Sequence, residues 1–219
     1  MNNYLTVDLE EWFHIGEDFV PRARWEGLPS RVEENVDHLL LLLDRHRVRA
    51  TFFVLGWVAE RHPDLVRRVR DCGHPIASHG YSHQMAYRLS PAEFEEDLTR
   101  SGEILEEITG RRPAGYRAAR WSLGRGALWA FPILVRQGIT YDSSLAPCPF
   151  IGSPDFPREP HRTWEFMACF WEEAGPSGCS VSPFCSAPWK PSTHEGLRLF
   201  STSILGNSIP ILPACPSRR

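Results

Sequence analysis

Along the first 142 residues, short apolar runs alternate with longer amphipathic stretches, and the two periods predict different elements. The runs "YLTVD", "ATFFVL", "PIAS", "GYRA" and "ITYD" read as strands over Tyr4–Asp8, Ala50–Leu55, Pro75–Ser78, Gly115–Ala118 and Ile139–Asp142. Helices fill the gaps. Ser30 with Glu33 makes a capping-box pattern ahead of "VDHLLLLLDRH". Ser90-Pro91-Ala92-Glu93 combines a cap, a proline at the first helical position and an acid three residues on, and opens a helix running to about Thr109. Gly73, Gly110 and Gly138 each follow a helical pattern and suit a left-handed stop. Strand and helix in alternation are the signature of a mainly parallel sheet covered by helices, so the fold class is α/β. From about Ala168 both periods disappear into "MACFWEEAGPSGCSVSPFCSAPWKPSTHEG" and its continuation, which predicts an irregular tail.

Composition narrows the function classes. A chain of 219 residues, 42% hydrophobic, can bury one good core. Its net charge of -3 gives no broad basic surface for nucleic acid, and Arg67, Arg68 and Arg70 read as the wet face of a helix. No stretch approaches the roughly 18 apolar residues of a membrane span, and "MNNYLTVDLEEWF" has acid where a signal peptide needs base, so a soluble cytoplasmic protein is expected. The six cysteines form no CxxC pair, which argues against a zinc knuckle or a thioredoxin-like site and for mostly free thiols.

In parallel α/β folds chemistry gathers at the carboxyl ends of the strands. Strand one delivers Asp8 and Glu10 there, strand three His79 with His83 after it, strand four Arg117 and strand five Asp142. Residues two apart on an extended segment share a face, so Asp8 and Glu10 point together while Glu11 points elsewhere. Two histidines four apart also share a face, and two imidazoles with one carboxylate make a three-ligand site for a divalent metal, zinc being the simplest choice. The second carboxylate, Asp8, is then the candidate base, Arg117 the group that steadies it, and Asp142 the orienter of a further catalytic group. Taken singly each has a plainer reading: HxxxH as core or surface histidine, and Asp142 before two serines as an Asx turn. Joint placement at one rim favours a site for metal-assisted hydrolysis of an amide or ester. There is no GxSxG, Walker or GxGxxG motif.

The order "TVDLEEWF", "ATFFVLGWVAERHPDLVRRVRDCGHPIASHGYSH", "GYRAARWS" and "YDSSLAP" resembles the polysaccharide deacetylases of carbohydrate esterase family four, and looks closest to the branch associated with exosortase-linked exopolysaccharide loci. The resemblance implies a distorted (β/α) barrel of fewer than eight strands and a deacetylase-like catalytic domain over residues 1–166, incomplete at the C-terminus, followed by a tail over 167–219. It implies a divalent metal and removal of N-acetyl groups from an acetylated polysaccharide or oligosaccharide. Asp8 matches the base, Glu10 the carboxylate ligand where many relatives have Asp, His79 and His83 the histidine ligands, Arg117 the arginine beside the base, and Asp142 the aspartate behind a catalytic histidine. The substrate-binding residues stay unassigned; Trp12, Phe13, Trp57, Trp121 and Trp129 are candidates for a sugar groove, though each suits the core equally.

The chain departs from the family pattern twice. Ala119 stands where a proline follows the arginine, and no apolar strand ending in the acid histidine follows Asp142: His161 lies in a Pro-rich stretch and His194 in "KPSTHEG". Read one base out of frame, the codons of "SILGNSIP" (Ser203 to Pro210) permit His-Pro-Trp-Glu-Leu-Asp-Pro, which resembles the missing motif, so a frameshift after about Phe166 is expected. Such a chain would keep metal and base but lack the acid, and its activity would be impaired. Other readings are a hydrolase of different non-peptide C–N bonds on the same scaffold, and a non-catalytic binding relative.

Overall fold

The computed structural model describes residues 4–16, 18–148 and 156 in full, and the backbone alone of 161–162 and 198–199. Strands β1 (Leu5–Leu9), β2 (Ala50–Val54), β3 (Ile76–Ser78), β4 (Gly115–Tyr116) and β5 (Tyr141–Asp142) pair in parallel and in chain order. Helices α1 (Val32–His46), α2 (Gly56–Arg61), α3 (Pro63–Asp71), α4 (Pro91–Thr109) and α5 (Ala130–Arg136) fill the crossovers. Beyond β5 the sheet continues with β7 (Arg198–Leu199), parallel to it, and β6 (His161–Arg162), antiparallel to β7. β7 falls within 167–219; the rest of that segment, with the expected irregular tail and frameshift, lies outside the described residues.

Strand order that follows chain order decides the architecture. Crossovers of one hand with no reversal put every helix on the same face, as in a barrel wall, whereas a doubly wound sheet needs a switch point. The side chains obey this. Val7, Leu9, Phe52 and Val54 pack with Leu40, Leu43, Leu65 and Val69 of the helices, while the alternate residues Thr6, Asp8 and Phe53 meet Arg117 on the opposite, inner face. Among the described residues β1 and β6 are the two sheet edges.

The observed strands are shorter than the apolar runs, and β4 and β5 keep two ladder residues each. After β4 the Arg117 amide still donates to β3, to Ser78 O at 3.0 Å, and the chain leaves the ladder at the next amide, of Ala118, which turns to Ser144 Oγ at 2.8 Å. Ser90 and Glu93 form the expected capping box, and Gly110 ends α4 at φ 75°. The Ser30/Glu33 box does not form. The N-cap of α1 is Arg31, with no side-chain cap of its own. Instead the buried Glu11 carboxylate accepts from Ser30 Oγ, from the Arg31 amide at 3.1 Å and from the Val32 amide at 3.4 Å, a cap from nineteen or more residues away that no local pattern announces.

Arg67 pairs with Asp64, Arg68 with Asp37 and Glu33, and Arg70 with Asp71, so the three arginines are engaged along α3. Cys148 is a free thiol, but Cys72 is disulfide-bonded rather than free; the other four cysteines lie outside the described residues. Among the described residues no helix is long and apolar enough to cross a membrane.

Candidate active site

The rim at the carboxyl ends of β1, β3, β4 and β5 gathers most of the residues singled out by sequence. Asp8 is the fourth residue of β1 and faces inward; Glu10 follows with the same parity, and Glu11 turns away to cap α1. β3 ends at Ser78, and the backbone then folds back on itself, with Gly80 at φ +72° and His83 at φ +55°, which brings both imidazoles to one side. Gly80 is required here: a left-handed residue with a Cβ would also sit 2.8 Å from Asp97 Oδ2.

Ligand-type atoms of Glu10, His79 and His83 all lie within 4.8 Å of one another. His83 Nε2 stands 2.7 Å and His79 Nε2 3.9 Å from Glu10 Oε2. The shorter contact lacks hydrogen-bond geometry, so Glu10 Oε2 is a buried oxygen without a donor. His79 Nδ1 lies 2.7 Å from the Arg117 carbonyl, and because a carbonyl only accepts, that nitrogen carries the proton and the Nε2 lone pair is left facing Glu10. Burial pushes the His79 imidazole below its ordinary value, which keeps it neutral. A neutral, oriented imidazole, a second imidazole and an unsatisfied carboxylate oxygen fit a divalent metal.

Arg117 crosses the barrel interior. Its guanidinium, 3% exposed, donates to Asp8 Oδ1 at 2.7 Å, Thr6 Oγ1 at 3.1 Å, Ser143 Oγ at 2.8 Å and the Ser143 carbonyl at 3.3 Å, and lies 4.1 Å over the Phe53 ring. One planar cation thus ties β1, β4 and the end of β5 together and aligns the Asp8 carboxylate. The loop after it holds two successive left-handed residues, Arg120 at φ 53° and Trp121 at φ 51°.

Asp142 is fully buried, and burial drives its carboxyl up to about 7. Its Oδ1 accepts from the Ser144 amide at 2.8 Å and its Oδ2 from Ser144 Oγ at 2.6 Å, so the Asx-turn reading describes its geometry. Among the described residues no imidazole contacts it. Only the backbone of His161 is described, in β6, and His194 lies outside the described residues.

Two further residues escaped the sequence reading. His14 is fully buried between Trp25, Trp57 and Phe13, its ring 6.0 Å from that of His83. Its Nδ1 accepts from the Glu11 amide, which fixes the proton on Nε2, and burial followed by the charges of His83 and His79 lowers its pKa to about 3. A histidine inside the apolar run "WFHI" was the available signal. Asp97, in the second turn of α4, binds the loop between the two histidines, and nothing in its helix pattern marks it. Of the aromatic candidates, Phe13 and Trp57 are core, Trp121 and Trp129 are half-buried, and Trp12 is 45% exposed.

Comparison with known proteins places this geometry. Residues 25–129, which include His79, His83 and Arg117, match the family model for polysaccharide deacetylase. A peptidoglycan deacetylase of Helicobacter pylori is 30% identical over 113 residues, 52% of this chain and 38% of that protein. A chitooligosaccharide deacetylase of Bradyrhizobium is 38% identical over 81 residues, 36% of this chain and 37% of that protein. A solved Mycobacterium smegmatis structure assigned to the polysaccharide deacetylases aligns over 92% of this chain and 58% of its own, with a TM-score of 0.60 and 26% identity. The chain therefore spans well under half the length of these curated relatives. The parallel-sheet barrel wall, the rim that brings Asp8, Glu10, His79, His83 and Arg117 together, and the family match agree: residues 25–129 carry a polysaccharide deacetylase domain.

Proposed function

We propose that this chain removes N-acetyl groups from an acetylated saccharide polymer with the help of a divalent ion, zinc by its ligand chemistry, held by Glu10, His79 and His83. The observation that carries the reading is the convergence of those donor atoms, with His79 locked in the ligating tautomer, beside an Asp8 carboxylate aligned by Arg117. A zinc ion bound there would supply Lewis acidity, polarising an acyl oxygen and lowering the pKa of water from 15.7 toward about 7.

The chain's own groups do the rest. Asp8, paired with Arg117 through Oδ1 and 20% exposed, is the base that accepts a proton as water adds to the acetamide carbon. Breaking the C–N bond then releases acetate and requires a proton on the departing amine. Asp142 is the candidate orienter of the donor of that proton, but its carboxylate oxygens are both engaged by Ser144 and no described imidazole reaches it. General acid catalysis contributes roughly 10² to 10⁴ in rate. We therefore read the protein as a metal-binding deacetylase whose slow step is amine departure.

The test is zinc titration of the metal-free protein and of His79→Ala, beside acetate release from an N-acetylated chito-oligosaccharide. Tight zinc binding lost in the variant, with slow, zinc-dependent acetate release, is the expected result. Equal zinc affinity in both proteins would defeat the metal assignment; zinc binding with no acetate release would defeat the activity and leave a binding protein.

A further inference from the structure

Resting on that metal reading, we infer that Asp97, in the second turn of α4 and outside the ligand cluster, is the positioning residue that sets the geometry of the two histidines. The segment joining them, Gly80-Tyr81-Ser82, has backbone amides that point away from any strand partner. Asp97 takes two of them at once: its Oδ2 accepts from the Tyr81 amide at 2.7 Å and its Oδ1 from the Ser82 amide at 2.9 Å. The third, on Gly80, donates to Ser78 Oγ at 3.1 Å. On the carbonyl side, Gly80 O and Tyr81 O accept from the Gly56 and Trp57 amides at the start of α2, at 2.8 and 3.3 Å.

Three amides and two carbonyls of the loop are therefore held by the Asp97 carboxylate, Ser78 Oγ and the start of α2. Charge-assisted bonds to successive amides are short and directional, and they fix the rotation of the two peptide planes that lie between His79 and His83, 80–81 and 81–82. They also hold two left-handed residues, Gly80 and His83, in place. A non-glycine residue at positive φ persists only where its surroundings enforce it, and Asp97 supplies that enforcement from outside the site. The Ser90/Glu93 capping box opens the same helix and makes its bonds within that first turn, away from the loop.

Groups that orient metal ligands from behind change metal affinity by roughly 10- to 100-fold when removed. Asp97→Ala in the full chain is expected to weaken zinc binding by about that factor, read by competition with a chromophoric chelator, and to raise the exchange rate of the Tyr81 and Ser82 amide protons. Asp97→Asn, which keeps one acceptor and turns an NH2 toward the other amide, is expected to fall between and serves if the alanine variant folds poorly. Ser90→Ala destabilises the same helix without touching the loop, so it should lower the melting temperature and leave zinc affinity unchanged. Zinc affinity equal to wild type in both Asp97 variants, or an equal loss in Ser90→Ala, overturns the role of Asp97 alone. Full zinc affinity in His79→Ala overturns the metal reading and this role with it.

Discussion

The contact with the largest energetic stake is the guanidinium of Arg117 inside the barrel. Arg117→Met keeps the stem against Phe53 but deletes the bonds to Asp8, Thr6 and Ser143 and leaves the Asp8 carboxylate without its cation. Breaking a buried ion pair by removing one partner costs about 3–5 kcal/mol. The Asp8 side chain is 20% exposed, so water offsets part of the loss, which points to the lower end, about 3 kcal/mol. Most of that penalty is the stranded charge. Asp8→Asn in the same background should therefore recover a large part of it, with a coupling energy of about 2 kcal/mol in the double-mutant cycle. Urea unfolding at neutral pH in the presence of a chelator measures all four proteins without an ion contributing. A coupling energy below about 0.5 kcal/mol would refute the view that Arg117 and Asp8 act as one unit.

Two other expectations concern stability. Asp142 holds its proton more tightly folded, at about 7, than its ordinary 3.8, so the stability it contributes is present below that ordinary value and is lost as pH rises toward 7. The full gap corresponds to about 4 kcal/mol, and Asp142→Asn should flatten the fall in unfolding free energy between these limits; an unchanged slope across the pH series would locate the titration elsewhere. Glu11→Ala removes the side-chain acceptor that caps the start of α1 and should lower stability by about 1–3 kcal/mol in chemical denaturation, with Ser30→Ala milder; no change would mean that water caps the helix equally well.

Periodicity alone was enough for the α/β class, for five strand positions and for α4 with its capping box, because each depends on neighbours within a few residues. Side-chain parity along β1 was likewise local, and it correctly separated Glu10 from Glu11. The quoted motifs were enough to recognise the family, since their residue types and spacing are fixed by the chemistry they share.

What required the folded chain was every relation between distant segments. Glu11 displaced Ser30 and Glu33 as the cap of α1 because the loop after β1 happens to pass that helix end. Asp142 proved to be held by Ser144, and its raised pKa follows from a burial that no two-residue pattern reveals. Asp97 and His14 could be singled out only once the loop of His79 and His83 and the Trp25–Trp57 core had closed around them. The tautomer of His79 depends on a carbonyl 38 residues away, just past the end of another strand. Local sequence sets which groups a strand end can offer; their protonation, orientation and partners are properties of the space between strands, and that space exists only after the sheet has curled.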